Sequence, residues 1–206
     1  MIIGIAGKTH SGKTSLANRL NHTYGWPVHS FADGVRRELA NAWFKGTHAK
    51  NRPALWESME SEFGKESVRT LLQAWGHGRR VFNGDDYWVD DLMSNIADEE
   101  VVVIDDVRYP NEIASILRKG GVIIRLLADE QTLYSRGATE SALSHPSERA
   151  ISEEQTLYEA LNKNRVFRIA TNDIKQEEVF DCFKSAAINL IAAEISVKAP
   201  RKGVGD

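Results

Sequence analysis

The segment GIAGKTHSGKTS, from Gly4 to Ser15, constrains this chain more than any other stretch of its 206 residues. Gly7 is followed by four residues and then by Gly12, Lys13 and Thr14, the G-x4-G-K-[ST] spacing of a phosphate-binding loop. The apolar run MIIGIA precedes it, and SLANRLNHTY, with Leu16 and Leu20 four apart, follows. Strand, loop, helix is the context that gives the motif its meaning. Successive backbone N–H groups in such a loop form a nest for anionic oxygens at a helix start. Glycines at 7 and 12 permit backbone angles and a close approach that a side chain would block. Lys13 is expected at the β- and γ-phosphates of ATP and the Thr14 hydroxyl at Mg²⁺, with Ser11 and Ser15 among the nucleotide contacts.

The rest of the chain alternates short apolar runs with helical patterns. PVHSF reads as a second strand, VVVID (Val101 to Asp105) as a buried third, GVIIRLL as a fourth and RVFRIAT as a fifth. GVRRELANAWF, NEIASILRKGG and EEVFDCFKSAAINLIAAEI read as helices between and after them. The expected fold is therefore α/β: a P-loop NTPase with a five-stranded parallel sheet flanked by helices. Two stretches interrupt the alternation, about 43–98 and about 128–164. Insertions beyond the carboxyl ends of strands lie where ligands bind in open α/β sheets. We read them as an acceptor-binding lobe and a short lid within a single domain, 1–195. The tail 196–206, rich in Pro, Gly and charge, is expected to be disordered.

Composition narrows the function. A net charge of −3 supplies no basic field for a nucleic-acid polymer. Cys182 is the single cysteine, which excludes an internal disulfide framework and fits a reducing cytoplasm. The first apolar run lacks a basic region before it, so no signal peptide is expected. No run approaches the roughly eighteen apolar residues of a membrane span. The acids closing the third strand, Asp105 and Asp106, sit where a Walker-B carboxylate faces Mg²⁺ directly or through water. The guanine-reading Asn-Lys-x-Asp motif of a GTPase is missing, since NKNR at 162–165 lacks the acid. Arginines instead mark strand ends and both insertions: Arg69, Arg79, Arg80, Arg108, Arg125 and Arg136. Phosphoryl transfer between two anions needs such cations to offset mutual repulsion, and an ionised phosphate acceptor needs no general base. Arg125, within VIIRLL, is expected to point to ligand or to an acid, because an unpaired charge inside an apolar strand is costly.

At this point the residues match a family. VVVIDDVRYPNE resembles the Asp-Val-Arg-aromatic-Pro-Asn-Glu signature of bacteriophage deoxynucleoside monophosphate kinases, within the P-loop nucleoside monophosphate kinases. VRTLLQAWGHGRR followed by DDYW is similar to their acceptor-binding segment, SFADGVRREL to their second strand and next helix, HPSE at 145–148 to an element of their lid, and ATND at 170–173 to the loop near the donor adenine. The resemblance covers roughly residues 2 to 185. One departure is Lys13-Thr14 where many relatives carry Lys-Asp, which widens the field toward other nucleoside monophosphate kinases.

The resemblance implies a reaction, ATP plus dNMP giving ADP and dNDP, with Mg²⁺ as cofactor. It implies a cytoplasmic enzyme, in the host cytoplasm if phage-encoded, and a homodimer. Lys13, Arg108, Arg136 and Asp106 would be catalytic, with Arg136 closing over the transferring group. Arg69 would hold the acceptor phosphate or its base edge, and Gln73, one helical turn on, the base. Asp33, Trp88, Arg108 and Arg125 complete the acceptor set and Asn172 the donor set. Trp75 and Trp88 can each stack on a base or pack a core. His77 and His145 are read as structural, with His145 and Glu148 in a local lid contact and no zinc site. Two alternatives stay open: a kinase for another small phosphorylated metabolite, and a P-loop ATPase with no small-molecule acceptor.

Overall fold

The structure, a computed structural model, describes residues 1–43, 52–144, 148, 164–172 and 174–198. In chain order the elements are β1 (Ile2–Ala6), α1 (Lys13–Tyr24), β2 (Val28–His29), α2 (Phe31–Trp43), α3 (Arg52–Phe63), α4 (Lys65–Asn83), α5 (Tyr87–Asn95), β3 (Val102–Val107), α6 (Pro110–Arg118), β4 (Val122–Leu127), α7 (Glu130–Ser135), α8 (Glu140–Ser144), β5 (Val166–Ala170) and α9 (Gln176–Lys198). The chain divides into two units, Met1–His29 with Asp98–Asp206, and Ser30–Ala97.

The first unit is built on a five-stranded sheet in the order β2-β3-β1-β4-β5, every pairing parallel. Its strands are near-continuous apolar runs because both faces are covered. One face carries Ile3, Ile5, Val103, Ile124, Leu126 and Ile169, packed with Leu16 and Leu20 of α1 and with Phe180, Phe183 and Ile191 of α9. On α6, Ile113 and Ile116 are fully buried against the sheet. Chain order reverses at β1, which lies between β3 and β4. That switch point places the β1–α1 loop at the carboxyl edge, where open α/β sheets bind ligands. The fold matches the α/β, five-stranded parallel sheet expected from sequence.

β3 runs two residues further than the expected strand, and it does so irregularly. Gly4 pairs with Ile104, but Ala6 pairs with Val107, so β3 carries one extra residue at Asp105–Asp106. Such a bulge re-aims side chains that would otherwise alternate between faces.

The second unit is helical. Val35 and Leu39 of α2 and Trp88 of α5 form its buried centre, with Trp56, Leu71, Leu72, Trp75 and Tyr87 packed around them. Of the two roles open to Trp88, base contact and core, the structure shows core rather than the acceptor contact: it is 1% exposed, and its indole N–H donates to the Gly76 carbonyl at 3.0 Å. The physical reason lies in its helix, where Trp88, Val89, Leu92 and Met93 make one buried face. Beside them Glu38 accepts from the Trp75 indole at 2.9 Å, from Arg79 Nε at 2.7 Å and from the Tyr87 hydroxyl. Partial burial alone would raise its carboxyl, but the three donors outweigh that and hold it below the ordinary value. Arg79 is thereby a structural cation, stacked 5.6 Å from Trp75 and 5.5 Å from Tyr87.

Candidate active site: the β1–α1 loop and its partners

Geometry in the loop follows from its glycines. Gly7 has φ 151°, and a Cβ there would meet the Leu126 carbonyl and Ser11 Oγ at 2.7 Å. Gly12 has φ 99° and opens α1 in the left-handed region with no side-chain cap. Glycine offers no side chain to cap the first N–H groups of α1, the arrangement that suits an anionic acceptor at a helix start. His10 also takes a positive φ, 60°, an uncommon state for a residue with a side chain and one that clusters at ligand-binding loops. The Ser11 hydroxyl is buried with no hydrogen-bond partner among the described residues. An orphaned polar atom in a curled, glycine-lined loop suits the binding of an anionic oxygen.

Lys13 is 8% exposed, and its ammonium donates to the Lys8 carbonyl at 2.8 Å. Burial, and next the Arg108 charge, push its pKa down to about 8, against the pull of Glu148, Asp106 and Asp105. These are the groups expected at a phosphate, gathered around one lysine.

The two acids of β3 separate. Both pull on Lys13 through charge, Asp106 the more, but Asp105 also joins the loop threonine, whose Oγ1 donates to Asp105 Oδ2 at 3.0 Å. No group of three His, Cys, Asp or Glu side chains is placed to hold a metal ion by itself among the described residues. A cation at Thr14 and Asp105 would draw its other ligands from phosphate and water, and this sparse oxygen set suits Mg²⁺.

The turn after β3 explains its own sequence. Glu112, 2% exposed, accepts from the backbone N–H of Arg108 at 2.7 Å and of Tyr109 at 2.9 Å. Pro110 opens α6, where its missing N–H costs nothing. Pro and Glu of the Arg-Tyr-Pro-Asn-Glu segment therefore shape a cap that sets the backbone of Arg108.

Glu148 makes contacts that the sequence did not suggest. It is 2% exposed, accepts from the Thr9 backbone N–H at 2.8 Å, and pairs through its other oxygen with Arg108 Nη1. The contact expected with His145 lies outside the described residues. The positions of Thr9 and Glu148 are 139 apart, and no local pattern announces such a pairing.

A cleft of about 460 Å³ opens beside the loop, lined by Gly7, Lys8, Arg125, Asp129, Glu148 and Asn172 among others. Arg125 thus lines this cleft from β4. The far wall is tied together: Asn172 Oδ1 accepts from Asp129 N at 2.9 Å, and Thr171 N donates to the Leu127 carbonyl at 2.7 Å. Arg136, just past α7, donates to the Thr171 carbonyl and reaches the His10 carbonyl at 3.5 Å. Its guanidinium therefore links the β5 end to the phosphate loop. Ser15 is exposed in the first turn of α1.

In the helical unit, Arg69 and Gln73 share α4, four residues apart and both half-exposed. Asp33 caps α2, accepting from Ser30 N at 2.8 Å, and pairs with Arg36 at 2.7 Å. A cap of this kind accounts for Asp33 without a ligand.

No family model matches the chain, and no curated protein matches it. Among solved structures, a gluconokinase from Sinorhizobium meliloti 1021 is similar with a TM-score of 0.53 at 15% identity, over 95% of this chain and 96% of that one. A sugar kinase from Janibacter sp. HTCC2649 has a TM-score of 0.48 at 14% identity, over 94% of this chain and 96% of that one. A shikimate kinase from Acinetobacter baumannii, in complex with shikimate, has a TM-score of 0.48 at 13% identity, over 96% and 94%. The likeness to the gluconokinase is one of fold. No helix among the described residues is long and apolar enough to cross a membrane.

Proposed function

We propose that this chain is an ATP-dependent deoxynucleoside monophosphate kinase, passing the γ-phosphoryl group of ATP to a dNMP. The observation that carries the reading is the convergence at one loop of Lys13, the Thr14–Asp105 pair and Arg108. Cations on both sides of a transferring phosphoryl group, with an oxygen pair for Mg²⁺, are what transfer between two phosphates requires. Bound Mg²⁺ would neutralise phosphate charge. Ser11 and the loop N–H groups hold the donor, Lys13 steadies the moving group, and Arg108 meets the acceptor phosphate. Asn172 serves the donor base side, and Arg136 closes over the transferring group. Arg69 and Gln73 address the acceptor from α4, the first at its phosphate and the second at its base. The resemblance of VRTLLQAWGHGRR and DVRYPNE to phage enzymes supports the dNMP as acceptor.

A second reading has its own support. The gluconokinase likeness spans 95% of this chain, so a P-loop kinase with a non-nucleotide acceptor has the same scaffold. Assaying ADP formation from MgATP with each of four dNMPs, the matching NMPs and gluconate decides between them. Acceleration by dNMPs, with dNDP as product, supports the proposal. Acceleration by gluconate alone replaces it with the second reading.

A further inference from the structure

Glu148 poses a problem for an anion-binding site. A carboxylate beside a phosphate loop repels the ligand the loop is built for and competes for its N–H donors. Yet this one is 2% exposed, with one oxygen on the Thr9 amide at 2.8 Å and the other on the Arg108 guanidinium. A buried carboxylate survives only when both oxygens are satisfied, and here its two partners are the donor loop and the arginine assigned to the acceptor phosphate. Arg108 also has its backbone fixed by Glu112. What the Glu112 cap cannot fix is the direction of a long, rotamer-rich side chain; a charge-assisted bond to a rigid acceptor can. The Arg108 side chain is 26% exposed, against 1% for that of Glu148. The acid is therefore sealed while the arginine keeps a face toward solvent.

We propose that Glu148 is a positioning residue: its carboxylate fastens the Arg108 guanidinium to the Thr9 amide of the phosphate loop, so that donor and acceptor cations are set before substrates arrive. This rests on the kinase reading above. Preorganisation of this kind lowers the barrier by removing reorganisation at the moment of transfer. It also predicts where the effect appears. Glu148 hydrogen-bonds the loop through one amide near its start and reaches Lys13 only through charge, so ATP binding should depend on it only weakly. The step that uses Arg108 should not.

Glu148→Gln keeps the shape and removes the charge. The expected result is a fall in kcat of about tenfold or more, equivalent to about 1.4 kcal/mol of barrier, with ATP affinity by titration calorimetry changed less than about threefold. In an Arg108→Ala background the same substitution should change kcat less than about twofold, because the group it positions has gone. A merely structural role gives additive losses in that cycle and overturns the proposal. So does a Glu148→Gln enzyme with unchanged kcat. A variant that binds ATP more tightly and turns over faster would show the carboxylate to be a phosphate stand-in that substrates displace, which also overturns it. A measurement on the wild-type protein covers failure of the variant to fold: the Thr9 amide should resist hydrogen exchange in the absence of nucleotide, and free exchange there removes the contact. Wild-type protein that makes ADP without any acceptor defeats the kinase reading instead, and the Thr9 amide then decides whether Glu148 holds the loop.

Discussion

Lys13 is a charged group held largely out of water. Burial and the neighbouring Arg108 lower its pKa to about 8, whereas in the unfolded chain it titrates near 10.5. Between those values the unfolded state binds more protons, so this group adds stability as pH rises through the window and none below it. ATP reverses the preference, because phosphate oxygens favour the ammonium. Nucleotide binding at about pH 9 should therefore take up a proton at Lys13, and binding at about pH 6.5 should not. Calorimetry in buffers of differing ionisation enthalpy reads the uptake, and Lys13→Met should abolish it. The neighbouring acids should separate as their contacts do. Asp105→Asn removes the partner of Thr14 and should raise the Mg²⁺ concentration needed for half-maximal rate about tenfold or more, the cost of one charge-assisted contact. Asp106→Asn removes a charge that props up the Lys13 ammonium, so it should lower the pH at which ATP binding begins to take up a proton. Equal, mild effects of both on Mg²⁺ dependence would contradict this division.

At the scale of elements, the strands were legible because β-branched runs declare a sheet covered on both faces. The helices of Ser30–Ala97 declared themselves less clearly. Their apolar residues serve a small core of tryptophans, and α3 shows weak amphipathic patterning. Trp88 shows the consequence. Its aromatic ring and its place near an acceptor motif invited a ligand role, but the spacing of Trp88, Val89, Leu92 and Met93 was the better signal. Trp88→Ala should cost about 3–5 kcal/mol of stability, as large aromatic truncations in cores do, and chemical denaturation measures it. Wild-type stability with a raised acceptor KM would return Trp88 to the binding site. Along α4, Arg69→Ala should lower kcat/KM for every dNMP alike, by roughly ten- to a hundredfold for a lost charge-assisted contact. Gln73→Ala should act unevenly across bases, by roughly two- to tenfold for a neutral hydrogen bond. A dNMP panel reads both, and base-dependent losses in the Arg69 variant would mean the two ends of the acceptor are exchanged. The bulge at Asp105–Asp106 and the Glu148 contact were beyond sequence reasoning for one reason: both are long-range pairings with no local period.

For the whole molecule, the sheet order β2-β3-β1-β4-β5 brings together residues from distant parts of the chain at one edge. The phosphate loop comes from the start, Asp105 and Arg108 from the middle, and Arg125 and Asn172 from β4 and the end of β5. That arrangement gathers the cations and the Thr14–Asp105 oxygen pair on which the proposed donor site rests; the acceptor defines the proposed activity. The central claim is tested most directly by following ADP release from MgATP with and without added dNMP, while identifying the phosphorylated product. The account predicts little ADP without acceptor, a large acceleration by at least one dNMP, and dNDP formed in equal amount. ADP released at the same rate whether or not a dNMP is present would contradict it.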